Sequence, residues 1–391
     1  MADSTPLVGL LTDAQSQLRA GKSGPALEIL AAAQELFPDS HDVYINLAMA
    51  HRAEGALLAA LGALDKALAI DPYSFLALLA KGSVLEQTGR VRSAAEIYKN
   101  ALKISPQPDR LPANLAQQLS HASSVVQNQA TAQAKHLRDL LGPLEASEPN
   151  EHRRRFSEAV DIASGIARAH QASPIQLHYP RLPAIPFFDT EHFPWMGDLE
   201  AATTVITEEL KSLQNTAGTN WSPYVQYAPG TPENQFAALN NNRDWSSIWL
   251  WRDGASQPAA SLCPGTMSVL EQVPLADQPG FAPTALFSAL APNTAIPPHT
   301  GSTNTRLLVH LPLILPGPAF FRVGNEERQW ELGKAWAFDD TIEHEARNDA
   351  DETRIILIFD VWNPLLSEAE KEKVRVLLSA QRAWLNEEMT S

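Results

Sequence analysis

The sequence predicts a multidomain protein in which an α-helical repeat array precedes a β-rich domain of the sandwich or barrel class. Glycine, alanine and proline recur with a period of 34 residues over residues 7–108, which is typical of paired-helix repeats. A proline-rich stretch at residues 174–186 cannot be helical and separates the two regions. After Trp221, short apolar segments alternate with Gly, Pro and Asn, the pattern expected for strands and turns.

Composition and charge narrow the class of protein. The chain has 391 residues, 44% hydrophobic and 19% charged, which is an ordinary globular composition and sufficient for two or three domains. Because the net charge is −15, we exclude nucleic acid and anionic membrane surfaces, which are bound through Lys and Arg. We expect no membrane span, since no apolar run reaches the required length. A single cysteine, Cys263, and an N-terminus without a basic signal region predict a cytoplasmic protein with an inert thiol.

The repeat units are predicted at residues 7–40, 41–74 and 75–108. A glycine separates the two helices of each unit, a proline ends the second helix, and small residues allow the helices to approach closely. These positions are Gly21, Gly55 and Gly89; Pro38, Pro72 and Pro106; and Ala26, Ala60 and Ala94. The pattern resembles the tetratricopeptide repeat. We expect residues 109–173 to form a helical cap and linker, including a helix over 151–170, because an array needs a capped end.

The second domain is predicted from six strands, and a single helix at residues 199–214 precedes them. The strands are at residues 247–251, 284–290, 306–315, 319–323, 335–338 and 354–362. Strand alternation places Arg354 on the same face as Ile356 and Ile358, so its guanidinium points into an apolar interior. Burying a guanidinium is unfavourable unless an anion meets it. A surface ion pair of Arg354 with Asp351 or Glu352 is the simpler alternative.

Two histidines in this region have the spacing of a non-haem iron site. His299 lies in Pro298-His299-Thr300-Gly301, His344 follows it by 45 residues, and Arg354 follows it by 55. Non-haem iron oxygenases hold the metal with imidazole and carboxylate ligands and leave positions open for the cosubstrate and O₂. The usual third ligand is an acidic residue two positions after the first histidine, where this chain has Gly301. We therefore predict two protein ligands, and expect Asp at position 301 to add a third.

Residues 284–363 resemble the aspartyl/asparaginyl β-hydroxylase family of Fe(II)- and 2-oxoglutarate-dependent dioxygenases, in which Gly occupies this position. The matching residues are Phe287-Ser288, Pro298-His299-Thr300-Gly301, Thr303-Asn304, Arg306, His310-Leu311, Arg322-Val323-Gly324-Asn325-Glu326, Trp330, Gly333, Phe338-Asp339-Asp340, His344-Glu345, Arg354 and Asp360-Val361-Trp362. The resemblance implies a double-stranded β-helix, a jelly-roll and cupin-like fold, within residues 174–391. It also implies the hydroxylation of a C–H bond, coupled to decarboxylation of 2-oxoglutarate to succinate and using O₂.

The resemblance further implies roles for individual residues. His299 and His344 bind Fe(II). Arg354 binds the distal carboxylate of 2-oxoglutarate through bidentate hydrogen bonds from its planar guanidinium, and the Ser288 hydroxyl binds the same carboxylate. His310 lies close to the metal-bound carboxylate.

One departure from the animal enzymes is Leu308, where they carry an Arg that anchors the cosubstrate. Arg306 and Arg322 are candidate replacements, and we assign Arg306 to the cofactor-binding set. Ligating imidazoles usually donate their second N–H to a carboxylate or a carbonyl. The nearby acidic residues are Asp339, Asp340, Glu343 and Glu345.

Three hypotheses of function follow. The first is a hydroxylase acting on the β-carbon of Asp or Asn in a peptide or protein that the repeats recruit. The second keeps the chemistry but takes a free amino acid, a peptide natural product or a lipid acyl chain. The third is a non-catalytic adaptor that binds partners through its repeats. The joint presence of His299, His344 and Arg354 favours the enzymes.

Overall fold

The computed structural model describes residues 5–107, 110–145, 150–216, 220–232 and 235–389. The chain divides into two compact units, residues 1–168 and residues 169–391. Within the described ranges, no helix combines the length and the apolar character needed to cross a membrane.

The first unit begins with three successive helix pairs, which confirms the predicted array. The helices are α1 (Thr5–Arg19), α2 (Ser23–Leu36), α3 (His41–Ala53), α4 (Leu57–Ile70), α5 (Phe75–Gln87) and α6 (Val91–Ile104). Gly21, Gly55 and Gly89 have φ of 73°, 76° and 77°, and each lies between the two helices of a pair. Glycine is suited to this left-handed conformation, so it ends the first helix and allows the chain to turn.

Small residues form the contacts between these helices. Ala26, Ala60 and Ala94 are completely buried. A Cβ at Gly82 would overlap the ring of Tyr98 on the partner helix, so only glycine fits there. Two further helices, α7 (Ala113–Glu145) and α8 (Asn150–Ser164), follow the pairs. The prediction of a helix to residue 170 was wrong, because Gly165 adopts a φ of 83° and terminates α8.

The second unit contains short helices followed by strands, and ends in a helix. Its helices are α9 (Met196–Ala201), α10 (Thr203–Gln214), α11 (Pro264–Leu270) and α12 (Glu368–Met389). Its strands are β1 (Phe187–Phe188), β2 (Ser222–Pro223), β3 (Trp245–Arg252), β4 (Ala255–Ser256), β5 (Ala285–Leu290), β6 (Thr294–His299), β7 (Arg306–Ile314), β8 (Ala319–Val323), β9 (Glu326–Gln329), β10 (Trp336–Phe338), β11 (His344–Asn348) and β12 (Arg354–Trp362).

In the described part of this unit, the strands form two antiparallel sheets. The larger has the order β1-β10-β7-β12-β5-β3-β2 with β4 beside β3, and the smaller has the order β6-β11-β8-β9. Leu286 and Ile356 of the larger sheet share a core with Ile296 and Phe321 of the smaller one. The other face of the larger sheet packs against α9 and α10. Burial on both faces explains why β12 is apolar along nearly its whole length.

The six predicted strands correspond to β3, β5, β7, β8, β10 and β12, and the other six strands were not predicted. Of these, β1, β2 and β4 are two residues long, too short to show a pattern. The strands β6, β9 and β11 belong to the smaller sheet, where polar and partly exposed residues obscure the strand pattern. The predicted single helix at 199–214 was also wrong. It is interrupted at Ala202, where the Thr203 hydroxyl donates to the Glu200 carbonyl and competes with the helical backbone bonds.

Candidate active site

A cavity of about 210 Å³ is lined by residues of the two sheets of the second unit. All six residues predicted for the site line this one cavity: Ser288, His299, Arg306, His310, His344 and Arg354. Strand alternation accounts for much of the lining, because alternate residues of β7 and β12 face inward. The predicted orientation of Arg354, Ile356 and Ile358 is confirmed.

His299 ends β6 and His344 begins β11, and the two residues are paired across these antiparallel strands. Their ring centroids are 4.0 Å apart. The Nδ1 atoms lie 2.8 Å from the Pro297 carbonyl and 3.0 Å from the Ile342 carbonyl, respectively. Since a carbonyl only accepts, each Nδ1 carries the proton and each Nε2 keeps a lone pair. Backbone carbonyls, rather than the nearby acidic side chains, therefore orient both rings.

Burial keeps both imidazoles neutral. It lowers the pKa of His299 to about 4, and lowers the pKa of His344 well below its usual value, with the neighbouring His299 adding to the effect. Neutral imidazole is the form that binds a metal. Among the described residues, no cluster of three or more His, Cys, Asp or Glu side chains is arranged to hold a metal ion. Because both rings are neutral and are paired across β6 and β11, the histidine pair is the candidate metal centre.

Asp340 lies against Gly301, which is two residues after His299. The Gly301 N–H donates to the Asp340 carbonyl at 2.7 Å, and a Cβ at residue 301 would overlap the Asp340 carboxylate. Asp340 lines the cavity and is 6% exposed, and its Oδ1 has no hydrogen-bond partner in the described residues. Burial raises the pKa of its carboxyl to about 7. Asp340 therefore brings a carboxyl to the cavity beside Gly301, the position where the usual spacing would have an acid.

Arg354 begins β12 and is 1% exposed. Its Nε and Nη1 atoms have no hydrogen-bond partner among the described residues, so the alternative of a surface ion pair is not observed. Burial lowers the pKa of the guanidinium to about 9. The guanidinium lies over the ring of Trp330, with Cζ 4.5 Å from the ring centroid. This is a buried cation with open donors facing a cavity.

Ser288 and His310 flank Arg354 on the neighbouring strands. Ser288 is paired with Ile356 of β12, and its hydroxyl oxygen accepts a bond of 3.1 Å from Trp245 Nε1. Because that bond uses a lone pair, the hydroxyl proton stays available for another acceptor. His310 is buried with Nδ1 unpartnered in the described residues, and burial lowers its pKa well below the usual value. Both residues therefore present polar atoms that a cosubstrate can use.

The two arginines considered as replacements for a basic residue at 308 lie in different places. Arg306 lines the cavity, but its Nη1 donates to Asp360 Oδ2 at 2.6 Å and to the Phe281 carbonyl at 3.1 Å. Arg322 donates to Glu345 at 2.5 Å and to the Gly324 carbonyl at 2.6 Å, and is not among the described residues that line the cavity. The suggestion of Arg322 as a cosubstrate anchor was therefore wrong. Leu308 leaves the wall between Arg306 and His310 apolar.

Sequence reasoning assigned no role to two tryptophans that contact the predicted site. Trp245 holds the Ser288 hydroxyl, and Trp330 lies under Arg354. Alternation of residues along one strand could not identify them, since each contact joins different strands or sheets.

Comparison with known proteins identifies both parts of the chain. The model of the family described as Aspartyl/Asparaginyl beta-hydroxylase matches residues 200–364, and Tetratricopeptide repeat models match residues 11–75 and 76–108. The "Ornithine lipid ester-linked acyl 2-hydroxylase" of Rhizobium tropici is 32% identical over 202 residues, covering 51% of this chain and 68% of that protein. The "Aspartyl/asparaginyl beta-hydroxylase" of Homo sapiens is 35% identical over 193 residues, which cover 46% of this chain and 24% of that protein.

Among solved structures, a thermophilic TPR protein of Thermus thermophilus aligns with 39% of this chain, and the alignment includes 79% of that protein. The sequence identity is 24% and the TM-score is 0.27. The chain spans about a quarter of the length of the human relative. The relatives with higher identity are named as hydroxylases, which supports an oxidoreductase that hydroxylates its substrate. The match to two thirds of the rhizobial relative and the match to the family model show that the chain belongs to the aspartyl/asparaginyl β-hydroxylase family. Tetratricopeptide repeats precede its hydroxylase-like domain.

Proposed function

We propose that the chain is an Fe(II)- and 2-oxoglutarate-dependent hydroxylase. The observation that carries this proposal is one cavity that holds two neutral imidazoles and a buried guanidinium with open donors. Imidazoles suit iron(II), and a buried guanidinium without a protein carboxylate suits an incoming carboxylate. The hydroxylase names of the relatives support the same reaction class.

His299 and His344 would hold the iron. Each ring has its Nδ1 bonded to a backbone carbonyl, the arrangement that fixes the tautomer of a metal-ligating histidine. Two protein ligands leave the other coordination positions to 2-oxoglutarate, O₂ and water. Bound iron supplies the O₂ activation that couples decarboxylation of 2-oxoglutarate to oxygen insertion into a substrate C–H bond.

The protein side chains bind and orient 2-oxoglutarate. Arg354 donates to the distal carboxylate, and the Ser288 hydroxyl, held by Trp245, donates to the same group. His310, which the family resemblance assigns to the metal-bound carboxylate, would donate to 2-oxoglutarate through its unpartnered Nδ1. Arg306 uses its Nη1 for Asp360 and the Phe281 carbonyl, and its unpartnered Nε would be available to 2-oxoglutarate. Apolar side chains around these groups exclude water and strengthen each charged contact.

The substrate in this proposal is an Asp or Asn residue of a peptide or protein, hydroxylated at its β-carbon. A lipid acyl chain is the second candidate, and the name of the rhizobial relative, an acyl 2-hydroxylase, favours it. A free amino acid or peptide natural product keeps the same chemistry. A non-catalytic adaptor is disfavoured, because an unpaired buried arginine lowers stability and a scaffold would gain by losing it.

The repeats would recruit the peptide or protein substrate. The first helices of the three pairs carry exposed apolar side chains at Val8, Met49 and Leu76. Such side chains on one helix of each repeat suit an extended or helical peptide.

Turnover of 2-oxoglutarate tests the proposal. Protein loaded with Fe(II) without oxygen should release succinate when O₂ is admitted, and more when a substrate is present. Candidate peptides containing Asp or Asn, and candidate acyl lipids, are then searched by mass spectrometry for one added oxygen atom. Wild-type protein that binds neither Mn(II) nor 2-oxoglutarate would refute the proposal, and oxidation of the lipids alone would select the second candidate.

A further inference from the structure

The buried cation of the cavity rests on an aromatic ring. The Arg354 guanidinium lies 4.5 Å from the centroid of the Trp330 ring. Trp330 is 4% exposed, lines the same cavity, and directly follows β9 of the smaller sheet, whereas Arg354 begins β12 of the larger one. The contact therefore joins the two sheets at the predicted carboxylate end of the cavity.

An aromatic face and a carboxylate stabilise a guanidinium differently. A carboxylate binds in the guanidinium plane and uses the N–H donors that another anion would need. A ring stacked on the guanidinium attracts the charge through its π face and leaves the in-plane donors open. Arg306 shows the first arrangement in the same cavity, since its Nη1 is bonded to Asp360. Arg354 has the second arrangement, with its Nε and Nη1 open.

Other rings hold Trp330 in place. Its ring stacks on Trp336, with centroids 5.8 Å apart and planes 18° apart, and on His310, with centroids 6.2 Å apart. Phe321 approaches it at 5.4 Å. Such close packing restricts the ring to one orientation, so the guanidinium above it is also fixed.

We propose that Trp330 is a positioning residue that makes the site selective for ligands with a distal carboxylate, because it stabilises and orients the Arg354 guanidinium without neutralising it. This inference rests on the proposed function and adds a determinant of cosubstrate selectivity to it. The selectivity comes from the ring face, so it depends on an aromatic side chain at residue 330.

Ligand selectivity tests this role independently of catalysis. Binding of 2-oxoglutarate and of 2-oxopentanoate, which has the same chain without the distal carboxylate, is measured by calorimetry on the full-length Mn(II)-loaded protein. In Trp330→Leu, affinity for 2-oxoglutarate should fall roughly 5- to 30-fold, the range of a desolvated cation–π contact, while 2-oxopentanoate binds as before. Trp330→Phe keeps a ring and should lose only about 2- to 5-fold.

Trp362→Leu is the matched control. Trp362 is also buried and lies under a guanidinium, with Arg375 Cζ 5.1 Å from its ring centroid, but it is not among the described cavity-lining residues, so its loss should leave the ratio of the two affinities unchanged. A wild-type ratio in Trp330→Leu would overturn the inference, and so would a loss in Trp330→Phe as large as in Trp330→Leu. If Trp330→Leu fails to fold, a Trp330→Phe ratio equal to wild type would overturn it. Wild-type protein without any preference for 2-oxoglutarate would overturn the proposed function as well.

Discussion

The carboxylate of Asp340 occupies the space that a side chain at Gly301 would need. The backbone of Gly301 also donates to the Asp340 carbonyl at 2.7 Å, so the two residues are fixed against each other. Gly at residue 301, two residues after His299, therefore leaves the space that the carboxylate of Asp340 fills. A third ligand at 301 and the present position of Asp340 exclude each other.

Gly301→Asp should therefore lower the stability of the folded protein and should not add a third metal ligand. The position of residue 301 two residues after His299 had suggested the opposite. Forcing atoms into a packed interior costs typically about 1–3 kcal/mol. Urea unfolding gives the stability change, and Mn(II) titration gives the metal affinity. Combining Gly301→Asp with Asp340→Gly removes the overlap and should recover most of the stability. Tighter metal binding by the single variant at wild-type stability would contradict this interpretation.

His344→Ala should abolish metal binding at micromolar Mn(II), since a site with two protein ligands has no redundancy. His310→Ala is the control, because His310 lines the same cavity and is assigned to the cosubstrate rather than to the metal. It should retain metal affinity and lose affinity for 2-oxoglutarate. Equal metal affinities in His344→Ala and wild type would remove His344 from the metal centre.

In an Asp340→Asn background, which removes the carboxyl that titrates near pH 7 in the same cavity, metal affinity should stay nearly constant as pH falls from 7 to about 5, whereas ordinary histidines would begin to lose it near pH 6.5. The reason is that burial lowers the pKa of His299 to about 4 and lowers the pKa of His344 well below its usual value. In the unfolded chain these rings take up protons at the ordinary pKa. The two rings should therefore contribute less stability to the metal-free protein as pH falls below that ordinary value, whereas Asp340 and Asp360, whose carboxyl pKa values are raised by burial, contribute in the opposite direction. The difference in pH dependence between wild type and His299→Ala isolates the histidine contribution. Mn(II) titrations and urea unfolding at several pH values measure both effects, and a metal affinity that declines from pH 6.5 would count against neutral buried rings.

Arg354→Met should stabilise the metal-free protein and abolish its affinity for 2-oxoglutarate. Replacing a buried charge with an apolar side chain of similar size is often stabilising, by about 1–4 kcal/mol. Loss of a buried charge pair with the ligand costs about 2–5 kcal/mol, or roughly 30- to 4000-fold in binding. Arg354→Lys keeps the charge without the planar donors, so its loss of affinity for 2-oxoglutarate should be near the smaller value of this range. Thermal unfolding and calorimetry provide the two values, and unchanged 2-oxoglutarate binding in Arg354→Met would disprove the anchor.

Local periodicity predicted the architecture and the inward face of β12, whereas the resemblance to a known family supplied the other cavity residues. Alternation along β12 was enough to orient Arg354 inward, and the repeat period was enough to locate Gly21, Gly55 and Gly89. Contacts between distant strands were not accessible in the same way. The positions of Trp330 under Arg354 and of Asp340 against Gly301 depend on how two sheets and their loops face each other, which no local pattern records.

The repeat array offers a test that pairs two glycines in the middle of helices. A Cβ at Gly82 in α5 would meet the Tyr98 ring, whereas a Cβ at Gly62 in α4 would have nothing within 4 Å. Gly82→Ala should therefore destabilise the array by about 1–3 kcal/mol through overpacking. Gly62→Ala should stabilise it by about 0.5–1 kcal/mol, because alanine favours a helix more than glycine does. Urea unfolding followed by circular dichroism compares the two variants, and a shift in the same direction for both would show that helix propensity, not the Gly82–Tyr98 contact, determines the stability at these positions.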